Sequence, residues 1–177
     1  MVDTETVIHV IQGQHRVSDR PGDILATVLG SCIAVCLHDP LRRIGGINHF
    51  LLPGAGPAEG TNVKYGAHAM ETLVNAMLRA GAARERLVAQ IYGGANIFAG
   101  LGRIGDANAA FAQDYVRCEG FSLQAADTGG HLGRRLRFRP ALGIAQVQDI
   151  DPDLPELRRS ETTACAPPSP ATRVELF

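Results

Sequence analysis

The chain has 177 residues, 45% of them apolar, which suits one domain with its own core and leaves too little for two. Lys and Arg total 17 against 18 Asp and Glu, so no net basic field exists of the kind that draws proteins to nucleic acid or anionic lipid. No run approaches the roughly 20 apolar residues of a membrane span, and MVDTETVIHV lacks the regions of a signal peptide, so a cytoplasmic protein with reduced cysteines is expected.

In chain order, the β-branched run Val7 to Gln12 predicts a short strand ended by Gly13, and RVSDRPGD (16–23) reads as a turn. Ile24 to His38 is almost continuously apolar, DPLRR (39–43) is a turn, and IGGINHFLLP (44–53) is apolar again. The pattern is a hairpin of buried strands. PGAGPAEGTNVKYG (53–66) reads as a Gly/Pro-rich loop of a length that is more often functional than idle. Met70, Leu73, Val74, Met77 and Leu78 then recur at helical spacing, with Gly81 as the stop.

LVAQIY (87–92) predicts a strand, GGANIFAGLGRIG (93–105) a glycine-dense connection, and 106–119 a second helix stopped at Gly120. FSLQAA (121–126) alternates as a strand, DTGGHLG (127–133) is a tight loop, and RLRFRP with GIAQVQ forms a terminal hairpin. Five of the ten prolines lie between Pro152 and Pro170, with few large apolar residues, so 149–177 is expected to be a flexible tail beyond a domain at 1–148.

The chemistry centres on VLGSCIAVC (28–36). If the hairpin loop is Asp39 to Arg42, His38 faces Arg43 and Cys32 faces His49. Opposed residues share a face with Cβ atoms about 4.5 to 5.5 Å apart. An imidazole beside a thiol favours the thiolate–imidazolium pair and makes a nucleophile of the cysteine. Gly30 permits a tight turn just before it, so main-chain N–H groups at Ser31 and Cys32 can face the anion of an acyl transfer. The competing reading is packing, since free cysteine is among the most buried residue types; Cys36, between Val35 and Leu37, takes that reading. Metal binding by Cys32, Cys36 and His38 is disfavoured, because positions 32 and 36 of a strand lie about 13 Å apart. GLGRIG (100–105) matches G-x-G-x-x-G, but GGAN separates it from the preceding strand, which weakens a nucleotide reading.

Taken together, TVLGSCIAVCLHDP, GGINHFLLP, YGAHAM, GGANIF, IGDAN and DTGGHLGR resemble the CheD family of chemoreceptor glutamine deamidases, in consistent order from Val7 to Gln148. The resemblance implies a single-domain α/β layered sandwich with mostly antiparallel strands and two main helices, related to the deamidase domain of cytotoxic necrotizing toxins. It implies hydrolysis of glutamine side chains in methyl-accepting chemotaxis receptors to glutamate, with no metal or organic cofactor. Cys32 matches the family's nucleophile and His49 its histidine.

A threonine that orients the histidine matches Thr27 most nearly, although some relatives carry it one position earlier, where this chain has Ala26. A bulge would accommodate Thr27, or a backbone carbonyl would take its role. Gly30 and Ser31 would shape the oxyanion turn, and Asn48, Gly93, Gly94, Asp127 and Thr128 would belong to the substrate rim. Some relatives also bind the phosphatase CheC. Three alternatives stand beside this reading: a non-catalytic adaptor of the same fold for receptors or CheC, a nucleotide-dependent enzyme, and a redox sensor.

Overall fold

The computed structural model describes residues 4–52, 59–98, 100 and 102–164. The elements are β1 (Thr6–His9), β2 (His15–Ser18), β3 (Asp23–Leu29), β4 (Ile33–Asp39), β5 (Ile44–Phe50), α1 (Glu59–Arg79), β6 (Val88–Gly93), α2 (Ile104–Cys118), β7 (Ser122–Thr128), β8 (Gly133–Arg139), β9 (Ile144–Ile150) and α3 (Pro155–Ala164). One sheet has the order β1-β3-β8-β9 and the other β2-β5-β4-β6-β7. The β1–β3 and β6–β7 pairs are parallel and the rest antiparallel. The expected α/β sandwich with mostly antiparallel strands and two main helices is therefore observed. No helix among the described residues is long and apolar enough to cross a membrane.

Period-two geometry explains the layering. Ile33, Val35 and Leu37 of β4 face one side, where Met70, Leu73 and Met77 of α1 and Ala109, Ala112 and Val116 of α2 cover them. Ala34 and Cys36 face the other side with Cys32, against Leu25, Leu29, Leu136 and Phe138 of the four-stranded sheet. Burial on both faces is why β4 reads as an unbroken apolar run rather than an alternating one. Cys36 is packing, as expected, and its burial pushes the thiol pKa up.

Four expectations change. The supposed turn at 16–23 contains β2, a polar strand paired on one side only, with β5, so it buries too little to carry an apolar signature. The apolar stretch 24–38 is two strands in different sheets, divided at Gly30–Cys32. Helix α1 begins at Glu59, inside the expected loop; residues 53–58 of that loop lie outside the described residues. Finally, the expected flexible tail includes the end of β9 and then α3, whose Leu157 is fully buried and lies over Gly133. Leu157 docked on the sheet and the Arg135–Glu156 ion pair (2.7 Å) tie this segment to the domain despite its polar composition.

The hairpin register also differs. Asp39 faces Ile44, so the four-residue loop is Pro40 to Arg43, and His49 faces Ala34 rather than Cys32. The cause is Asp39. Its carboxylate accepts from the N–H groups of Leu41 (3.0 Å) and Arg42 (3.2 Å), an Asx turn that makes it the last strand residue. It also accepts from Ala83 N–H and, at 2.7 Å, from Arg86. The Arg86 hydrogen bond holds the Asp39 carboxyl below its ordinary pKa range.

Removing this fully buried carboxylate leaves the turn and the Ala83 N–H without their acceptor and releases the part-exposed Arg86 to water. Asp39→Ala should lower unfolding stability by about 2 to 3 kcal/mol in urea titration, from the lost turn bonds and the unsatisfied N–H. A loss below about 1 kcal/mol would mean that the turn does not depend on it.

Candidate active site

Because the register has moved by two positions, side-chain parity is kept. Cys32 and His49 still share the face that looks across to the four-stranded sheet. They are now diagonal rather than directly opposed, a relation that spans about 7 to 8 Å between backbones and lies within reach of long side chains. Both are buried, His49 at 3% exposure and Cys32 at 1%.

His49 is held from across the gap between the sheets. Odd-numbered residues of β3 face that gap, so Thr27 stands between Leu25 and Leu29 and needs no bulge to reach the imidazole. Its Oγ1 lies 2.8 Å from His49 Nδ1 and donates to the Val10 carbonyl at 2.6 Å. Val10 O is itself 3.4 Å from Nδ1. The two candidates for the orienting group, Thr27 and a backbone carbonyl, are thus both present.

These contacts assign the tautomer. The single hydroxyl proton of Thr27 goes to Val10 O, which can only accept, so Oγ1 meets Nδ1 with a lone pair. Nδ1 therefore carries the ring proton and Nε2 the free lone pair. Nε2 is buried and has no hydrogen-bond partner among the described residues. Desolvation lowers the His49 pKa from 6.5 to about 4 against the smaller raising effect of Val10 O. Burial thus favours a neutral His49 at rest, in place of the expected imidazolium.

The β1–β2 turn crosses this site. Gly13 N–H donates to His49 O (2.7 Å) and His49 N–H to Gln14 O (3.0 Å), and between them the Gln12 carboxamide oxygen accepts from Cys32 Sγ at 3.4 Å. A cleft of ≈ 320 Å³ opens beside it, lined among others by Gln12, Thr27, Val28, His49 and Arg159. The α3 helix thus contributes a cation to the wall. Gln12 was missed from sequence because its place follows only from the strand exchange between the two sheets.

The segment leading to Cys32 is pinned from the other side. Gly94 N–H donates to Cys32 O and Ala95 N–H to Gly30 O. A Cβ on Gly93 would stand 2.3 Å from Cys32 O, and Gly93 has φ +110°, so this residue has to be glycine. The glycines of GGAN therefore serve the Cys32 turn.

The other rim expectations do not meet the thiol. Asn48 points to the opposite face of β5 from His49, bonding Val35 N–H (3.0 Å) and Ala69 O (3.2 Å). Asp127 pairs with Arg134 at 2.9 Å and Thr128 accepts from Gln113 at 3.4 Å, two strands away from β4. Parity for Asn48 and strand order for the other two keep these side chains out of contact with the Cys32 thiol.

The CheD family model, described as CheD chemotactic sensory transduction, matches residues 51–149. A protein of Jannaschia sp. (strain CCS1) named probable chemoreceptor glutamine deamidase CheD is 49% identical, covering 83% of this chain and 84% of that one. Proteins of the same name from Caulobacter sp. (strain K31) and Cereibacter sphaeroides (strain ATCC 17025 / ATH 2.4.3) are 46% and 42% identical, covering 96% and 89% of this chain and 92% and 86% of theirs. Among solved structures, a Neisseria meningitidis protein of the DUF152 family aligns with a TM-score of 0.46 and 15% identity over 71% of this chain and 64% of its own.

Burial of His49 has a measurable sign. The unfolded chain protonates this histidine below about pH 6.5 while the folded chain resists to about pH 4, so stability should fall as pH drops through that window and level off below it. Melting temperatures of wild type and His49→Gln measured from pH 7 to 4 should converge toward acid. Parallel curves would contradict the buried neutral imidazole.

Proposed function

The chain belongs to the CheD family, and from that premise we propose that it hydrolyses receptor glutamine side chains with Cys32 as nucleophile and His49 as base. Chemoreceptor glutamine deamidation is the activity that its relatives' names carry. The observation that carries the assignment of residues is the bare, unpartnered Nε2 of His49, on the same face as Cys32 and fixed through Nδ1 by Thr27.

The carboxamide of a receptor glutamine enters the cleft and replaces Gln12 at Sγ. His49 Nε2 takes the thiol proton as sulfur attacks the carboxamide carbon, and the carbonyl π electrons move to oxygen. Main-chain N–H groups at the Gly30–Ser31–Cys32 turn receive that oxyanion. The oxyanion then collapses, the C–N bond breaks, and the imidazolium gives its proton to the departing ammonia. Water, deprotonated by His49, cleaves the thioester and restores the thiol with a glutamate as product.

Since Nδ1 must keep its proton for Nε2 to act, Thr27 is a positioning residue and Gly93 and Gly94 shape the backbone around Cys32. A new carboxylate on a receptor helix adds negative charge and creates a methylatable group, which is how the reaction tunes signalling. A cytoplasmic site of action, association with a CheC-type phosphatase and kinship with the deamidase domain of cytotoxic necrotizing toxins complete the proposal, each from the family resemblance.

Incubation with a receptor cytoplasmic fragment, followed by ammonia release and Gln-to-Glu conversion by mass spectrometry, is the test. Cys32→Ala and His49→Ala should abolish conversion with the fold retained. Thr27→Val should lower kcat by at least about tenfold, through loss of the tautomer constraint. A Cys32→Ala protein as active as wild type would overturn the reading.

A further inference from the structure

Three successive carbonyls around the nucleophile are tied to one side of the chain. Gly30 O accepts from Ala95 N–H at 2.9 Å, Ser31 O from Asn108 Nδ2 at 2.8 Å, and Cys32 O from Gly94 N–H at 2.7 Å. In a trans peptide the carbonyl and the following N–H point to opposite sides. Each anchored carbonyl therefore turns the next N–H away from the anchor, and the Ser31 carbonyl governs the N–H of Cys32 itself.

That central carbonyl is the one held by a side chain rather than by backbone. Asn108 lies on α2 and is 0% exposed, and its Oδ1 accepts from Leu52 N–H at 2.8 Å. Its orientation is settled by its partners, because Ser31 O can only accept and Leu52 N–H can only donate. Leu52 follows His49 by three residues on the same segment. One carboxamide thus ties the peptide before the nucleophile to the chain just beyond the base. Gly105 permits the approach, since a Cβ there would stand 2.4 Å from Ala95 O and 2.5 Å from Gly94 O.

We propose that Asn108 is a positioning residue for deamidation: by holding the Ser31 carbonyl it keeps the Cys32 N–H aimed at the oxyanion that forms on the substrate carboxamide. The inference rests on Cys32 being the nucleophile. An aspartate at 108 would be pushed by burial toward its protonated form and could still donate to the Ser31 carbonyl; a leucine keeps nearly the same branched shape but has no donor for it. The peptide then loses its anchor and the N–H its aim.

Two rates separate positioning from general support of the fold. Deamidation needs the thiol and the oxyanion donor, whereas alkylation of Cys32 by iodoacetamide needs only the thiol and its base. In Asn108→Leu, kcat on a receptor cytoplasmic fragment should fall by about 10²- to 10³-fold, as for loss of one oxyanion donor, with KM nearly unchanged. Alkylation at Cys32, followed by mass spectrometry of its peptide, should stay within about threefold of wild type.

If Asn108→Leu does not fold, Asn108→Ser, which is too short to span both partners, is read by the same two rates. An unchanged kcat, or a loss of alkylation equal to the loss of deamidation, overturns the inference while Cys32→Ala remains inactive. Deamidation by Cys32→Ala itself would overturn the nucleophile reading and this inference with it.

Discussion

The hydrogen bond between Thr27 Oγ1 and His49 Nδ1 crosses the gap between two sheets, and the rest of the site depends on it. Thr27 belongs to β3 of one sheet, His49 to β5 of the other, and Val10, which takes the threonine's proton, lies on the segment that leaves β1 to become β2 in the second sheet. Any one of these elements alone leaves the imidazole free to rotate and exchange tautomers. A one-residue slip of β3 would put Ala26 or Val28 in the threonine's place and remove the acceptor. The base at Nε2 is consequently a product of tertiary packing, created only when both sheets have closed in one register.

Much of this was legible in the sequence, for reasons that can be named. The hairpin, both main helices and the Cys32–His49 pairing on one face follow from apolar periodicity and a proline-containing turn. The register was read two positions off because the turn is set by the Asp39 carboxylate, and a side-chain hydrogen bond to Leu41 and Arg42 leaves no periodic trace. That error preserved the shared face only because it was even; an error of one would have separated thiol and imidazole. Strand β2 was hidden by its polarity, and α3 docks through Leu157 and the Arg135–Glu156 ion pair, neither of which leaves a periodic apolar trace.

Asn108 and Gln12 mark a different limit. Asn108 stands 77 positions from Ser31 and 56 from Leu52, and no local pattern relates them. A signal was nonetheless present: an asparagine in the interior of the helix IGDANAAFAQ, on its small-residue face, is a poor helix former whose polar atoms need partners when buried. Asn48 carried the same signal and proved to serve α1 instead. A buried asparagine therefore announces a tie between elements, while only the fold says which elements are tied.

In the proposed mechanism, burial of His49 decides how the chemistry is timed. A resting ion pair there would place charge between Leu25, Leu29, Ile47 and Phe138 with little to solvate it. Holding His49 neutral avoids that cost, and charge arises only during attack, when imidazolium and oxyanion form together and stabilise each other. A low pKa makes His49 a weaker base, which slows removal of the thiol proton, but it makes the imidazolium a strong acid at the moment ammonia must leave. Amide cleavage is limited by its poor leaving group, so an environment that favours the acid half of the cycle suits a deamidase. In that scheme the substrate's own carboxamide, by displacing Gln12 and bringing an oxygen that becomes negative, supplies the counter-charge for the imidazolium.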